Sequence, residues 1–239
     1  MATKAEIKAI LFDLDGTLLP MDQDVFLKDY FKRLAIQLAP YGYDPKELIN
    51  AVMKGTYAMV GNRGEKTNET VFWQTFYSVF GEEAKVHLPV YDAFYRDEFG
   101  KVQASCGYAK ESAEVVRLLK EKGYTVALAT NPVFPEAATR HRIAWAGLSF
   151  DDFAIVTTYE NSRYCKPNPG YYLDVAKAIG VMPEECVMVG NDVADDMVAE
   201  TVGMKVFLLT DCLINSKGVD ISRYPNGGFD QLKEFLKAL

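Results

Sequence analysis

The sequence predicts an α/β protein with a parallel-sheet core whose chain is interrupted by one all-helical insertion. Three observations support this prediction: short apolar runs alternate with amphipathic stretches, a long helical segment breaks that alternation, and polar residues follow the ends of the runs. Alternation of this kind is typical of a sheet that carries helices on both faces.

The apolar runs are the predicted strands of the sheet. They cover residues 8–12, 125–129, 154–157, 186–189 and 205–209. Four of them are nearly continuous in Val, Ile, Leu, Phe and Ala, which is the sequence pattern of a strand buried on both faces. We therefore expect these strands to lie in the interior of a parallel sheet.

The stretches between the later runs have the spacing of amphipathic helices. They cover residues 111–122, 135–146, 169–179 and 194–202. Strands that alternate with helices are joined by right-handed crossovers into a parallel sheet. The sequence thus predicts a Rossmann-like core.

One segment departs from this pattern after the first predicted strand. Residues 20–100 are rich in Phe, Tyr, Leu and Met at helical spacing, with predicted helices over 24–38, 45–60, 68–80 and 84–99. A segment of this length is too long to be a structureless loop. We predict a helical cap domain over residues 20–100, inserted between core segments 1–19 and 101–239.

Composition and charge argue against nucleic acid or an anionic membrane as the main partner. The 239 residues carry a net charge of -7, and such an acidic chain lacks the clustered Lys and Arg that nucleic acid or an anionic membrane requires. Lys4, Glu6 and Lys8 interrupt the start of the chain, and no apolar run is long enough to span a bilayer. The four cysteines have no C-x-x-C spacing and are predicted to be reduced thiols of a cytoplasmic protein. The oligomeric state stays open.

Polar side chains follow the predicted strands at the points where those strands end. Asp13 and Asp15 follow the first strand, Thr130 and Asn131 the second, and Lys166 lies beyond the third. The fourth is followed by these residues: Asn191, Asp192, Asp195 and Asp196. Ligands of an open parallel sheet bind beyond the carboxyl ends of its strands, so we expect these groups to converge there.

The residue types in this set suit phosphoryl transfer. Clustered carboxylates repel one another unless a cation lies among them, and hard oxygen ligands without imidazole or thiolate favour Mg²⁺. One carboxylate can attack phosphorus, and a second carboxyl group two residues further on can act as general acid and base. A hydroxyl, an amide and an ammonium group can stabilise the charge on the phosphoryl oxygens.

Four motifs resemble those of the haloacid dehalogenase-like hydrolase superfamily and occur in the same order. They read FDLDGTLL, ATN, KPNP and VGNDVADD, and the insertion between the first two resembles the helical C1 cap of that family. The resemblance covers the core, residues 5–19 and 101–239. It implies a magnesium-dependent phosphohydrolase that acts on a small phosphorylated metabolite, a phosphomonoester, through an aspartyl-phosphate.

The resemblance also implies roles for individual residues. Asp13 is the expected nucleophile and Asp15 the general acid and base, while Lys166 balances charge on Asp13 and on the phosphoryl oxygens. Thr130 and Asn131 are the expected phosphoryl-binding residues.

The expected Mg²⁺ ligands by the same resemblance are the Asp13 carboxylate, the Asp15 backbone carbonyl and Asp192. Many family members have Asp where this chain has Asn191, so contact between Asn191 and the metal stays open. Asp196 is expected just outside the ligand set, holding Lys166 or a metal-bound water.

Several alternatives stay open on the sequence alone. A sugar phosphomutase would use the same residues, and a catalytically silent binding module is a rival of a different class. A dehalogenase does not need Asp15, and a phosphonatase would need a cap lysine such as Lys54 or Lys66 as a Schiff base. These two are less favoured, and nothing in the insertion identifies a substrate.

Three further features are predicted to be structural or carry no assigned role. Residues 61–67 form a glycine-containing loop in which Arg63 and Lys66 either face the substrate or lie in a solvated turn, and the second interpretation is favoured. The Lys166 ammonium would lower the pKa of the neighbouring Cys165 thiol, although we assign that thiol no role. Five aromatic residues are expected to form the core of the insertion: Phe72, Trp73, Phe76, Tyr77 and Phe80.

Overall fold

The computed structural model describes residues 5–239 and has a five-stranded parallel sheet at its centre. The strand order is β2-β1-β3-β4-β5. The strands are β1 (Ala9–Phe12), β2 (Thr125–Leu128), β3 (Cys186–Gly190), β4 (Lys205–Leu209) and β5 (Asn226–Gly227). β1 lies between β2 and β3, and Ala9 pairs with both Thr125 and Cys186. The predicted α/β fold with a parallel sheet is confirmed.

Within residues 5–239, eight α-helices surround or extend from the sheet. They are α1 (Gln23–Leu38), α2 (Pro45–Val60), α3 (Asn68–Phe80), α4 (Leu88–Ala93), α5 (Lys110–Glu121), α6 (Glu136–Trp145), α7 (Pro169–Ala178) and α8 (Phe229–Lys237). α1–α4 fall within residues 20–100, the predicted insertion, and are called the inserted helices below. The predicted domain boundaries at residues 20 and 100 stay a prediction.

The first three inserted helices begin at polar caps. The side chains of Asp22, Asp44 and Thr67 each accept a hydrogen bond from a backbone N–H of the following helical turn. Such caps satisfy donors that have no partner inside the helix. This explains why the predicted helix starts lie within one residue of the observed ones.

The fourth predicted helix, residues 84–99, is broken into short pieces. A 3₁₀ segment (Glu82–His87) precedes α4, and a π segment (Phe94–Glu98) and a second 3₁₀ segment (Phe99–Ser105) follow it. Pro89 lies in the first turn of α4. Because proline has no N–H to donate and clashes with the preceding turn, it begins a helix rather than continuing one.

The predicted strand at residues 154–157 is only a short bridge at the edge of β2. Val156 pairs with Leu128, and Ala154 N donates to Val126 O at 2.8 Å. The segment therefore runs parallel to β2 without forming a regular strand. The fifth strand is β5, whose two residues are too few to produce an apolar pattern in the sequence.

Side chains of β1 point alternately to the two faces of the sheet, and each face has its own core. Ile10 and Phe12 pack in the cluster that includes the inserted helices, whereas Ala9 and Leu11 pack in the cluster that includes α7. Burying a side chain such as Phe12 contributes about 1.5–3 kcal/mol. Burial on both faces holds the carboxyl end of β1 at a fixed position. Among residues 5–239, no helix has the length and apolar character needed to cross a bilayer.

Candidate active site

Asp13 lies directly after β1, where the central strand ends. Its backbone N–H donates to Val189 O at 2.9 Å, so the residue is still held by the neighbouring strand β3. The side chain lies in a buried position. A rigid strand end of this kind fixes the direction of the carboxylate.

Lys166 joins Asp13 to Asp196 through a buried ion-pair network. Its Nζ donates to Asp13 Oδ1 at 2.8 Å and to Asp196 Oδ1 at 2.6 Å. Burial alone would lower the pKa of Lys166, but the carboxylates of Asp13 and Asp196 together raise it well above its ordinary value. Lys166 is therefore a fixed ammonium group beside Asp13.

Asp196 also holds the chain that follows β3. Its Oδ2 accepts a hydrogen bond from Asp192 N at 2.9 Å, while Asp192 Oδ1 accepts from Ala194 N and Asp195 N at 2.7 and 3.0 Å. These contacts close a tight turn over residues 192–196. Asp13, Lys166, Asp196 and Asp192 are thereby connected in one continuous series of contacts.

Asn191 is fixed by two hydrogen bonds of opposite polarity. Its Nδ2 donates to Cys212 O at 2.7 Å, and its Oδ1 accepts from Thr17 Oγ1 at 2.9 Å. The Thr17 hydroxyl also approaches Asp13 Oδ2 at 3.3 Å. A carboxylate at position 191 would face the Cys212 carbonyl without a proton to share, which gives a physical reason for an amide here.

Gly16 makes this arrangement possible. Its φ is +83°, and a Cβ built on it would lie 2.3 Å from Asn191 Nδ2. Any side chain at position 16 would therefore displace Asn191, and glycine is also the residue that adopts this backbone conformation without strain.

Thr130 and Asn131 follow β2, as the sequence predicts. The Thr130 carbonyl accepts from Thr157 Oγ1 at 2.6 Å and from Tyr171 Oη at 2.8 Å, which fixes the backbone behind the site. Asn131 Nδ2 donates to Asp195 Oδ2 at 3.3 Å. Asn131 Oδ1 is buried and has no hydrogen-bond partner among the described residues.

Asp15 pairs with Arg142, a residue that the sequence analysis did not single out. Arg142 Nη1 donates to Asp15 Oδ2, Nη2 donates to Thr139 Oγ1 at 3.0 Å, and the guanidinium carbon lies 4.6 Å from the centre of the Phe134 ring. Burial raises the pKa of Asp15, an effect that Arg142 opposes and the neighbouring Asp13 reinforces. A raised pKa is what a general acid needs near neutral pH.

The sequence does contain a signal for Arg142. It lies on the stripe of α6 that is buried against the core, together with Ala138, Thr139 and Ile143. A charged residue at a position where the helical period demands an apolar one needs a buried partner. That partner is Asp15, 127 residues away in the chain.

The predicted site residues all line one cavity of about 260 Å³. They are Asp13, Asp15, Thr130, Asn131, Lys166, Asn191, Asp192 and Asp196, and Asp195 lines it as well. Burial raises the pKa of Asp195, and the nearby Asp192 carboxylate raises it further. The structure thus brings together every residue that the sequence predicted for the site.

The donor set of this cavity fits a hard divalent cation. Five aspartates line it against one ammonium group, and the buried oxygens Asp15 Oδ1 and Asn131 Oδ1 have no protein partner within residues 5–239. No three His, Cys, Asp or Glu side chains of that part of the chain are grouped closely enough to bind an ion unaided. Mg²⁺ uses few protein ligands and completes its shell with water and substrate phosphate, so these residues fit it.

Other residues noted in the sequence lie away from the cavity. Arg63 and Lys66 are exposed and do not line it, and Lys66 Nζ donates to Gln74 Oε1 at 3.1 Å. The expectation of a lowered pKa at Cys165 is wrong, because burial of the thiol raises its pKa to about 12. Of the aromatic residues expected in the core of the insertion, Phe72 also lines the cavity.

Comparisons with known proteins identify related sequences and folds. The family model for haloacid dehalogenase-like hydrolases matches residues 7–203. A phosphoglycolate phosphatase of Vibrio vulnificus (strain YJ016) is 26% identical over 212 residues, which are 87% of this chain and 86% of that protein. Pyrophosphatase PpaX of Bacillus velezensis is 22% identical over 203 residues, or 85% and 83% of the two chains.

A solved structure supports the same fold. The crystal structure of 2-haloacid dehalogenase from Pseudomonas syringae pv. Tomato DC3000 superposes with a TM-score of 0.62 at 21% identity, covering 97% of this chain and 99% of that one. A likeness at this identity concerns the fold alone.

Proposed function

The chain belongs to the haloacid dehalogenase-like hydrolase family, and from this premise we propose that it is a magnesium-dependent phosphohydrolase of small phosphomonoesters. The observation that carries the proposal is the buried contact of Lys166 with Asp13 and Asp196, next to Asp15 in the same cavity. A carboxylate fixed beside an ammonium group, with a second carboxyl group of raised pKa nearby, suits nucleophilic attack with acid–base assistance.

In the first step, a carboxylate oxygen of Asp13 forms a bond to phosphorus while the bond from phosphorus to the ester oxygen breaks. The departing alcohol takes the proton of the Asp15 carboxyl group. The raised pKa of Asp15 supports this assignment, because it keeps a protonated fraction available.

In the second step, water attacks the phosphorus of the aspartyl-phosphate. The Asp15 carboxylate takes a proton from this water, and the bond from phosphorus to Asp13 breaks. Inorganic phosphate leaves, and both aspartates return to their starting states. The two steps together consume one ester and one water.

Other residues are proposed to hold the transferred group. Lys166 offers a positive charge to the phosphoryl oxygens as well as to Asp13, and Thr130 and Asn131 offer a hydroxyl and an amide from the end of β2. Asp196 is proposed to position Lys166, which its 2.6 Å contact supports. Preorganised groups of this kind stabilise the charge of the transition state.

The proposed Mg²⁺ ligands are the Asp13 carboxylate, the Asp15 backbone carbonyl and Asp192. Bound there, Mg²⁺ would neutralise charge on the phosphoryl group. The excess of carboxylates along the cavity supports this part of the proposal. Asn191 is proposed to stay outside the ligand set, because its amide is engaged with Cys212 and Thr17.

Two alternatives lose support from the residues of the cavity. A phosphonatase would need a lysine at the substrate, but neither Lys54 nor Lys66 is among the described residues that line the cavity. A sugar phosphomutase would need hydrogen-bonding groups for a second hydroxyl, whereas the inserted helices contribute mainly apolar side chains.

The test measures phosphate release from a panel of phosphomonoesters by the full-length protein with Mg²⁺, with a chelator, and with Mg²⁺ restored. We expect turnover of at least one ester, loss with the chelator and recovery with Mg²⁺. Asp13→Asn should lower kcat by at least about 1,000-fold while its circular dichroism spectrum stays that of the unmodified protein. A silent binding module would release no phosphate from any ester, and a chelator-insensitive enzyme would contradict the metal role.

A further inference from the structure

We propose that the cavity selects phosphomonoesters whose leaving group is uncharged and apolar, with an aromatic ring as its best fit. This inference rests on the proposed function and names the class of substrate for the same site. It follows from three properties of the cavity: the nature of its walls, the distribution of its cations and its size.

The part of the cavity wall formed outside the aspartate-bearing segments is largely apolar and aromatic. It is formed by side chains of α1, α2, α3 and the segments after β2, and its aromatic members include Phe26, Tyr30, Phe31, Phe72, Phe134 and Tyr159. Rings of this kind attract apolar surface and pack with other rings in edge-to-face or offset arrangements. A ring in the leaving group would find partners of its own kind on several sides.

Three hydroxyl groups of this wall already take part in hydrogen bonds within the protein. The hydroxyls of Tyr30 and Tyr95 form a hydrogen bond with each other at 2.8 Å, and Thr56 Oγ1 donates to Val52 O at 3.0 Å. A leaving group with several hydroxyls would lose its water and gain few hydrogen bonds in return. Unpaired polar groups are costly to bury, so this wall disfavours such a group.

No cation of the described residues is available for an anionic leaving group. Lys166 is the one lysine or arginine that lines the cavity within residues 5–239, and it is engaged with Asp13 and Asp196. Arg142 is 1% exposed and held by Asp15. The charge of an anionic leaving group would therefore have no lysine or arginine side chain of its own to pair with, which is unfavourable in a cavity lined by five aspartates.

The lining of this cavity does not suit the substrates after which two of the relatives are named. Phosphoglycolate carries a carboxylate on its leaving group, and pyrophosphate has a phosphate as its leaving group. We infer that neither is a good substrate of this chain, although both relatives share its fold. The volume of about 260 Å³ leaves room for one ring beside a phosphoryl group, because a cavity of about 150 Å³ is enough for benzene.

The test compares kcat/KM of the full-length protein with Mg²⁺ for benzyl phosphate and 4-carboxybenzyl phosphate. The two esters share the reacting bond and differ by one remote charge. 2-Phosphoglycolate and pyrophosphate are assayed beside them. We expect kcat/KM for benzyl phosphate to exceed that of each of the three substrates with an anionic leaving group by at least about 100-fold.

A positive charge introduced into the apolar wall should make substrates with an anionic leaving group more favourable. Met53 of α2 lines the cavity and is half-buried, so Met53→Arg is expected to raise the ratio of kcat/KM for 4-carboxybenzyl phosphate over benzyl phosphate by at least about tenfold. Met53→Leu, which changes the shape without a charge, should keep the order of the two substrates. Thr56→Lys from the same helix provides a second version if Met53→Arg fails to fold.

The outcomes separate this inference from the proposed function. Turnover of 2-phosphoglycolate or pyrophosphate as fast as benzyl phosphate would overturn the inference and leave the phosphohydrolase intact. An unchanged ratio in both charged variants would also overturn it. Absence of phosphate release from every substrate would instead refute the proposed function.

Discussion

The Arg142 guanidinium donates a hydrogen bond to the Asp15 carboxylate from the buried face of α6. Thr139 on the same helix and the Phe134 ring hold the guanidinium from two other directions. Since arginine stays protonated in proteins, Asp15 has a permanent donor on one oxygen. The direction of the proposed general acid is therefore fixed by α6, far from it in sequence.

Replacing Arg142 should lower kcat/KM more for an ester whose leaving group must be protonated than for one whose leaving group departs as an anion. In Arg142→Met the Asp15 carboxyl group loses its fixed direction, so we expect kcat/KM for benzyl phosphate to fall by about 100-fold. The activated ester 4-nitrophenyl phosphate, whose leaving group departs without a proton, should lose less than about tenfold. Steady-state kinetics with the two esters measures the difference.

Arg140→Met is the matched control on the same helix, because Arg140 pairs with Glu136 at the surface. Arg140→Met should leave kcat/KM unchanged for both esters. Arg142→Lys keeps a charge and is expected to recover part of the activity on benzyl phosphate. An equal loss on both esters in Arg142→Met would show that Arg142 supports the fold without positioning Asp15.

Adding one methyl group at Gly190 should disturb the Lys166 network. A Cβ at this position would lie 2.1 Å from Asp196 Oδ2, so Gly190→Ala must displace the carboxylate that holds Lys166 and the Asp192 amide. We expect the free energy of unfolding to fall by about 1–3 kcal/mol, as for other overpacked buried sites. Urea denaturation measures this change.

Gly61→Ala is the control for that substitution, because the atoms nearest to its Cβ would lie at ordinary contact distance. It should change the free energy of unfolding by less than about 0.5 kcal/mol. Equal stability of Gly190→Ala and the unmodified protein would mean that Asp196 can move without cost.

The sequence predicts most of the sheet and the convergence of the site, because both depend on local patterns. Continuous apolar runs identify β1 and β3, and the residues directly after them, such as Asp13 and Asp192, must lie at the same edge. The predicted site residues that follow β1, β2 and β3 line the same cavity for this reason. Helices with polar caps are predicted nearly to the residue, since a cap is a local signal.

The features that sequence reasoning missed depend on contacts between distant segments. Arg142 meets Asp15 only when α6 packs beside the segment that follows β1, and the periodicity of α6 does not identify its partner. The apolar wall of the cavity comes from separate helices. The apolar stripes of these helices have the same sequence pattern as stripes that pack in a hydrophobic core. Likewise, the raised pKa of Cys165 comes from burial and from the Asp195 carboxylate, which outweigh the hydrogen bond from Asn68.

Cys165 should resist alkylation in the folded protein. With a pKa of about 12, only about one thiol in 10,000 is ionised near pH 8, and the side chain is buried. We expect no carbamidomethylation at Cys165 with iodoacetamide under native conditions and full modification after unfolding in urea. Peptide mass spectrometry reads each site separately. Rapid native modification of Cys165 would contradict its burial.

Asn68 connects the start of α3 to the two loops that carry the proposed phosphoryl-binding residues. Its fully buried side chain donates to Pro132 O at 3.2 Å and to Cys165 Sγ at 3.2 Å, and accepts from Asn62 Nδ2 at 2.9 Å. Pro132 follows Asn131, and Cys165 precedes Lys166. This one amide therefore links an inserted helix to both sides of the site.

Asn68→Ala should lower both stability and activity, because it leaves buried groups without partners. We expect the free energy of unfolding in urea to fall by about 1–3 kcal/mol. Asn50→Ala on exposed α2 surface should stay within about 0.5 kcal/mol of the unmodified protein. Because Asn131 and Lys166 lose a fixed neighbour, KM for benzyl phosphate should rise in Asn68→Ala even at temperatures where the protein is fully folded. A variant with lower stability and unchanged KM would limit Asn68 to a structural role.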